Sequence, residues 1–193
     1  MANGLPRPVE HAVAAWVATW RRAVPGFAPE SLEGGRSSPL KFDYLSAGLS
    51  RGAAKDIGDR ALDVYSPDSS RFLNFDRLTE VGWDEDGTLA LDRDADSAPI
   101  LGDVKSDTLW QVDFCGTSCS FDGAYWVDAG RFALTGLTNS EQDSLCRAFL
   151  DVYDLQTRQV RRWLGQPVNQ PTLTRYQAAS DSALGARLKR SKR

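Results

Sequence analysis

A short pattern that occurs twice constrains the fold of this chain more than any other feature. The pattern Tyr-x-x-Asp-x-x-Arg-Phe lies at residues 65–72 and again, sixty positions later, at residues 125–132. Each copy is typical of a strand end, a polar turn and a second strand, because aromatic residues favour strands and aspartate favours turns. The repeat therefore predicts antiparallel β structure, with Asp68 and Asp128 at equivalent turns.

Alternating apolar residues and turn sequences extend this prediction along the chain. Residues 108–114 alternate with the period of a strand, and the Leu-Asp-Val-Tyr of residues 62–65 recurs at residues 150–153. Residues 159–164 follow a polar turn and are expected to pair back as a hairpin. We therefore predict an antiparallel β domain over residues 41–166.

The N-terminal part has a different periodicity. Residues 8–24 are predicted to form one amphipathic helix, whose apolar positions recur at helical spacing. Its apolar stripe is expected to pack on the β core, because a lone helix of this length is only marginally stable. Residues 27–40 are rich in Gly, Pro and Ser, which predicts a connecting loop.

The C-terminal part is basic, whereas the rest of the chain is acidic. Residues 175–193 carry six Lys and Arg against one Asp, although the whole chain has a formal net charge of −3. Such a tail can contact an anionic surface, and its simplest interpretation is a solvated, poorly ordered terminus. Nucleic-acid binding by the acidic body is not expected.

These signals divide the 193 residues into three segments around one core. Residues 1–40 form an N-terminal helix and linker, residues 41–166 the antiparallel β domain, and residues 167–193 the basic tail. Residues 12–20 are too short to span a bilayer, and the Arg pair after them does not suit a signal peptide. No transmembrane segment is expected.

The three cysteines allow two interpretations. Cys115 and Cys119 are close enough in sequence for a small disulfide loop if the turn between them brings the sulfurs together. Cys146 would then be unpaired. The alternative is that all three are buried free thiols, which pack as small apolar groups. A lone Cys-x-x-x-Cys pair is a poor zinc site, because structural zinc takes four nitrogen or sulfur ligands.

The sequence contains too few of the residues that most catalytic sites require. His11 is the single histidine, and it lies in the predicted N-terminal helix, far in sequence from Cys115. The chain has no Gly-x-Gly-x-x-Gly fingerprint and no P-loop sequence. We therefore predict no catalytic residues, no metal and no cofactor.

Carboxylates beside aromatic residues are the remaining candidates for a binding site. Such a combination can form a glycan-binding surface or a glycosidase pair. The structural alternative is that the aromatic residues form the core and the aspartates bond their own turns. The candidate ligand-binding residues are Trp110, Asp113, Asp122, Tyr125, Trp126 and Asp128.

Residues 65–72 resemble the Ser-Pro-Asp-Gly turn of β-propeller blades, and residues 152–160 resemble the outer hairpin of such blades. A blade takes about 40–45 residues and a closed ring needs about four blades, so residues 41–166 are too few for a closed propeller. The resemblance therefore implies a mainly β fold of antiparallel sheets with propeller-like hairpins that do not close, plus the N-terminal helix.

A narrower resemblance is to uncharacterised bacterial proteins, often predicted lipoproteins. It is carried by Tyr-Ser-Pro-Asp at residues 65–68, Phe-Cys-Gly-Thr-Ser-Cys at residues 114–119 and Gly-Ala-Tyr-Trp-Val-Asp at residues 123–128. The resemblance implies a location in the bacterial cell envelope and no known activity. The sequence departs from it because no lipidated N-terminal cysteine is present.

The leading hypothesis is a non-enzymatic binding or assembly protein of the bacterial cell envelope, with a protein or a glycan as partner. The alternative is a carbohydrate-active hydrolase or glycan-binding domain that uses Asp and Trp residues. The periplasm or envelope is expected if a leader is removed, and the cytoplasm otherwise. An enzyme should bring two carboxylates into one pocket, whereas a binding module should expose an aromatic patch.

Overall fold

Antiparallel strand pairing organises this fold. The computed structural model describes residues 4–47, 60–92, 95–139 and 145–191. Within these residues twelve strands form two five-stranded sheets and one two-stranded hairpin. All of the strand pairs are antiparallel, and neither sheet closes on itself. The prediction of a mainly β fold of antiparallel, unclosed sheets is confirmed.

Helices lie at both ends of the chain and strands between them. Two short helices come first, α1 (Arg7–Ala12) and α2 (Ala14–Ala23). The strands follow as β1 (Glu33–Pro39), β2 (Asp43–Ala47), β3 (Asp63–Tyr65), β4 (Arg71–Asn74), β5 (Glu80–Trp83), β6 (Leu89–Asp92), β7 (Ile100–Asp103), β8 (Thr108–Gln111), β9 (Cys119–Asp128), β10 (Arg131–Asn139), β11 (Cys146–Asp154) and β12 (Gln159–Val168). The final helix is α3 (Gln170–Ser191). Single 3-10 turns lie at Pro29–Ser31 and Arg60–Leu62.

The two large sheets have simple neighbour orders. Sheet I runs β1-β12-β11-β10-β9, so that three successive hairpin connections build it from β9 to β12 and β1 adds at the far edge. Sheet II runs β2-β8-β7-β4-β3. Strands β5 and β6 form the separate hairpin.

The main core lies between sheet I and sheet II. Phe132 of β10 stacks on Tyr153 of β11, with ring centroids 4.8 Å apart, and both side chains are fully buried. Leu73 and Leu101 of sheet II are buried in the same cluster. Burying large apolar side chains in this way is worth about 1.5–3 kcal/mol each, so this layer stabilises the pairing of the sheets.

The helices cover the other face of sheet I. Trp20 of α2 stacks on Tyr176 of α3, with ring centroids 3.9 Å apart, and on Phe27, 5.4 Å away. This cluster packs on Ala133 and Leu150 of sheet I. Sheet I is therefore a central layer that is buried on both faces.

The N-terminal region differs from its predicted form in two ways. The helix expected over residues 8–24 is divided into α1 and α2, which meet at Val13. The loop expected over residues 27–40 contains β1, which pairs with β12. The glycines that suggested a loop permit this pairing, because a Cβ atom on Gly35 would lie only 2.7 Å from the Arg162 carbonyl oxygen.

Helix α3 includes most of the basic C-terminal segment, so the expectation of a poorly ordered terminus over residues 175–193 is wrong for residues 175–191. Tyr176 and Leu188 are buried, and this burial offsets the cost of ordering the segment. Arg175 donates to the Thr172 hydroxyl at 3.1 Å, and Lys189 lies 5.2 Å from the centroid of Trp83. The boundaries of the three predicted segments stay a prediction.

The two copies of the repeated pattern lie beside each other. Arg71 donates from Nη1 to the Ala129 carbonyl at 3.3 Å, which joins the two turns. Asp68 and Asp128 each accept the backbone N–H two residues on. Their turns differ, however, because Asp68 lies inside the connection between β3 and β4, whereas Asp128 is the last residue of β9.

We expect Trp20→Ala to destabilise the fold by about 3–5 kcal/mol, because it removes a buried ring that contacts both Tyr176 and Phe27. Urea unfolding measures the change. Ala14→Ser, at an exposed position of the same helix, is the control and should change stability by less than about 0.5 kcal/mol. Equal stability of the two variants would contradict the proposed packing of the helical layer.

Candidate functional site

A cleft of about 330 Å³ borders the core between the two sheets. Its floor is sheet II, and its wall is the turn between β11 and β12, which contributes Leu155 and Arg158. Leu40 and Leu101 line the cleft and belong to the inter-sheet core, so the cleft is an opening of that core to solvent. The volume is at the lower end of the range of small-ligand sites. We call this opening the aromatic cleft.

Aromatic side chains form one part of its lining. Tyr44 of β2 and Trp110 of β8 are directly opposite residues of neighbouring strands, so their side chains lie side by side on one face of sheet II. Tyr44 is 61% exposed, Trp110 is half-buried, and Phe42 lies just before β2. An exposed tyrosine next to a tryptophan is the aromatic patch expected of a binding module.

Charged groups form the other part of the lining. Arg71 and Asp103 are opposite residues of β4 and β7, and Arg71 Nε lies 3.3 Å from Asp103 Oδ2. Arg158 has a positive φ of 53° in its turn, and its side chain makes no hydrogen bond or ion pair with the described residues. The cleft therefore contains two guanidinium groups and one carboxylate, which favours an anionic partner.

The single carboxylate of the cleft is held in its charged form. The Ser106 backbone N–H, the Ser106 hydroxyl and the Arg71 guanidinium lower the pKa of Asp103. Hydrolysis of a glycoside by the usual route needs a second carboxyl group, one of the pair with a raised pKa. Asp103 is the only carboxylate lining the cleft among the described residues. The cleft thus offers binding groups without an acid–base pair.

A carboxylate with a raised pKa, Asp151, lies outside the cleft, in the inter-sheet core. Burial raises the pKa of Asp151, which is 1% exposed. Arg162 donates to both of its oxygens, from Nε at 2.8 Å and from Nη2 at 2.6 Å. Nearby, Tyr153 donates its hydroxyl to Asp113 at 3.1 Å. Because Arg162 occupies both oxygens, Asp151 is a structural member of a buried ion pair.

The structure separates the six candidate binding residues that the sequence suggests. Trp110 alone of the six lines the aromatic cleft. Asp113 accepts the Tyr153 hydroxyl, and Asp128 binds Arg131 at 2.6 Å. Trp126 donates from Nε1 to the Val64 carbonyl at 2.8 Å, so it bridges the two sheets.

Asp122 and Tyr125 are brought together on the helix-facing side of sheet I. The register between β9 and β10 shifts so that Thr135 faces Gly123 and Gly136 faces Phe121, which leaves Asp122 as the extra residue of a bulge. Both residues line a second cavity, beneath α2 and α3.

Most of the cleft residues were not identified from the sequence. Phe42 and Tyr44 lie at the start of the predicted β domain, but Trp110, the cross-strand partner of Tyr44, is 66 residues further along the chain. Arg71 is part of the repeated pattern, and its role as a cleft residue depends on the pairing of β4 with β7. The spacing of Phe42 and Tyr44 by two residues is the one sequence signal that could have indicated an aromatic face.

The cysteines occupy two different environments. Cys115 and Cys119 form a disulfide, with their Cα atoms 5.4 Å apart. Cys115 also pairs through its backbone with Ser97. Cys146 is a buried free thiol, and burial raises its pKa. The raised pKa favours the protonated thiol of Cys146, which is a poorer nucleophile than a thiolate.

Comparison of this chain with protein-family models, with curated proteins and with solved structures found no match. Among the described residues no group of three or more His, Cys, Asp or Glu side chains is arranged to hold a metal ion. The described helices include none with the length and apolar character needed to cross a membrane. The function is therefore argued from the geometry of the aromatic cleft.

We expect Asp103→Asn to lower stability at neutral pH by about 0.5–1 kcal/mol, because it removes a charged acceptor of Ser106 and Arg71. The lowered pKa of Asp103 means that this stabilisation is complete above about pH 4, the usual value for aspartate, and is lost as the pH falls through the folded-state pKa. Urea unfolding between pH 2 and pH 7 measures the difference.

The control is Asp43→Asn, at an exposed position of β2. The free energies of unfolding of the wild type and Asp103→Asn are compared at each pH. If their difference stays constant down to pH 2, the charge of Asp103 does not stabilise the cleft, and the assignment is wrong.

Proposed function

We propose that this protein is a non-enzymatic binding protein whose ligand is an acidic saccharide held in the aromatic cleft. The observation that carries the proposal is the cross-strand pair of the exposed Tyr44 and the half-buried Trp110, in a cleft that is also lined by the guanidinium groups of Arg71 and Arg158. Flat aromatic faces pack against the apolar faces of ligand rings, and guanidinium groups bind carboxylates or phosphates.

The charge of the cleft supports an acidic ligand over a neutral one. Asp103 offsets Arg71, and Arg158 remains without a partner among the described residues. A carboxylate or phosphate of the ligand would give Arg158 the bidentate partner that its planar group favours. The glycan-binding alternative is thus part of this proposal, and hydrolysis lacks support because one carboxylate lines the cleft.

We propose the bacterial cell envelope as the location. The disulfide between Cys115 and Cys119 supports this proposal, because disulfides persist in oxidising compartments. The resemblance to predicted envelope lipoproteins points the same way. We also propose that the hairpins follow the pattern of propeller blades and that α2 is an amphipathic cover, in which Trp16, Val17 and Trp20 are buried and Ala15 and Ala18 are exposed.

An array of acidic and neutral bacterial saccharides tests the binding proposal. We expect the wild type to bind acidic saccharides, and Tyr44→Ala and Trp110→Ala to weaken binding at least tenfold, because each removes a stacking face. Isothermal titration calorimetry with an acidic saccharide bound on the array gives the affinities. Tyr65→Ala is the matched control, because Tyr65 is an exposed aromatic residue outside the cleft.

Three outcomes would overturn the proposal. They are no saccharide binding by the wild type, an equal loss of binding in Tyr65→Ala, and cleavage of the bound saccharide during incubation. The last outcome would favour the hydrolase alternative.

Thiol alkylation of intact cells tests the proposed location. Cells that express the natural gene are treated with iodoacetamide before lysis, and peptides are identified by mass spectrometry. We expect Cys115 and Cys119 to be recovered as a disulfide and Cys146 as a thiol, because the pair is oxidised and Cys146 is free. Recovery of Cys115 and Cys119 as alkylated thiols would contradict an oxidising compartment.

A further inference from the structure

A second cavity, of about 360 Å³, lies between the helical layer and the edge strand β9 of sheet I. Helix α2 contributes Thr19 and Arg22, and β9 contributes Asp122 and Tyr125. Helix α3 contributes a polar edge of Ser180, Ser182 and Arg187. This helix–sheet cavity is separate from the aromatic cleft, with which it shares no lining residue.

Arg187 is the unusual member of this lining. Its Nη2 atom is buried and has no hydrogen-bond partner among the described residues. Burial lowers the pKa of the Arg187 guanidinium, because removal from water disfavours its charged form. Arg187 as a whole is half-buried, and the unpartnered Nη2 is its buried end. Burying part of a cation without a partner is unfavourable, so native proteins usually pair such a group with an anion.

Asp122, the carboxylate that lines the same cavity, is hydrogen-bonded to residues other than Arg187. Thr135 donates its hydroxyl to Asp122 Oδ1 at 2.6 Å, and Tyr176 donates to Asp122 Oδ2. Arg187 forms no hydrogen bond or ion pair with the described residues. Trp16, which is 2% exposed, also lines the cavity. Its indole N–H is buried and has no hydrogen bond of good geometry to a described residue.

We propose that the helix–sheet cavity binds a small molecule through an oxyanion group, a carboxylate or a phosphate, which pairs with Arg187. Arg22 lies on the lining at the exposed side and supplies a second positive charge. The hydroxyl groups of Ser180 and Ser182 also line the cavity and add neutral donors to it. Two guanidinium groups and several neutral donors around one space match the acceptors of an oxyanion.

Thermal unfolding of the full chain tests the proposal, with inorganic phosphate and acetate as separate probes at constant ionic strength set by chloride. We expect a saturable rise in melting temperature with at least one probe, since a ligand that binds only the folded state stabilises it. A response to phosphate alone indicates a phosphate ligand, and a response to acetate alone indicates a carboxylate ligand.

The decisive variant is Arg187→Met, which keeps the apolar stem and removes the charge. We expect it to lose the saturable response, with at least a tenfold weaker apparent affinity, and to melt no lower than the wild type in chloride alone. Arg175→Met is the matched control, because Arg175 is an exposed residue of the same helix that does not line the cavity. It should keep the wild-type response.

Arg22→Gln provides a second test that does not touch the buried layer, and we expect it to weaken the response about threefold to tenfold. Trp110→Ala should leave the response unchanged, which separates this site from the aromatic cleft. The proposal is overturned if neither probe stabilises the wild type in a saturable way. It is also overturned if Arg187→Met responds like Arg175→Met.

Discussion

Burial of sheet I on both faces is the constraint on which the rest of the structure depends. The central strand β10 is buried from Phe132 to Leu137. Phe132 and Leu134 lie in the inter-sheet core, whereas Ala133 and Leu137 lie under the helices. A sheet with two apolar faces is stable in water only when both are covered. The helices at the two ends of the chain and sheet II therefore have to assemble on it together.

This requirement also determines where ligands can enter. The two faces of sheet I are largely occupied by packing, so open space remains at the edges of the layers. The aromatic cleft lies between sheet II and the β11–β12 turn, and the helix–sheet cavity lies between α2, α3 and the edge strand β9. In both places an arginine lacks a partner among the described residues, Arg158 in the first and Arg187 in the second.

Local patterns in the sequence were sufficient to predict the hairpins. The aromatic–Asp–Arg pattern predicted the strands on either side of Asp128, because a turn residue and its flanking strands are adjacent in sequence. The pairing of Tyr44 with Trp110 was not predictable, because it depends on the register between strands whose paired residues are 66 positions apart. The same limit applies to β1, whose glycine-rich sequence indicates a loop until Arg162 of β12 is seen against Gly35.

Charge was the least informative signal. The basic C-terminal segment suggested a solvated tail, but Tyr176 anchors it by stacking on Trp20 and donating to Asp122. Asp122 and Tyr125 were identified as candidate site residues from their neighbours in sequence, and their place in the helix–sheet cavity depends on a bulge that the sequence does not reveal. Long-range packing, rather than local propensity, positions both sites.

The central claim is that the aromatic cleft is the ligand site, and the indole N–H signal of Trp110 tests it most directly. Trp110→Phe assigns that signal among the six tryptophans in a ¹H–¹⁵N spectrum. Titration with an acidic oligosaccharide should shift the Trp110 signal progressively and leave the buried Trp20 and Trp163 signals in place. If the oligosaccharide binds and another tryptophan signal moves while the Trp110 signal stays in place, the aromatic cleft is not the ligand site.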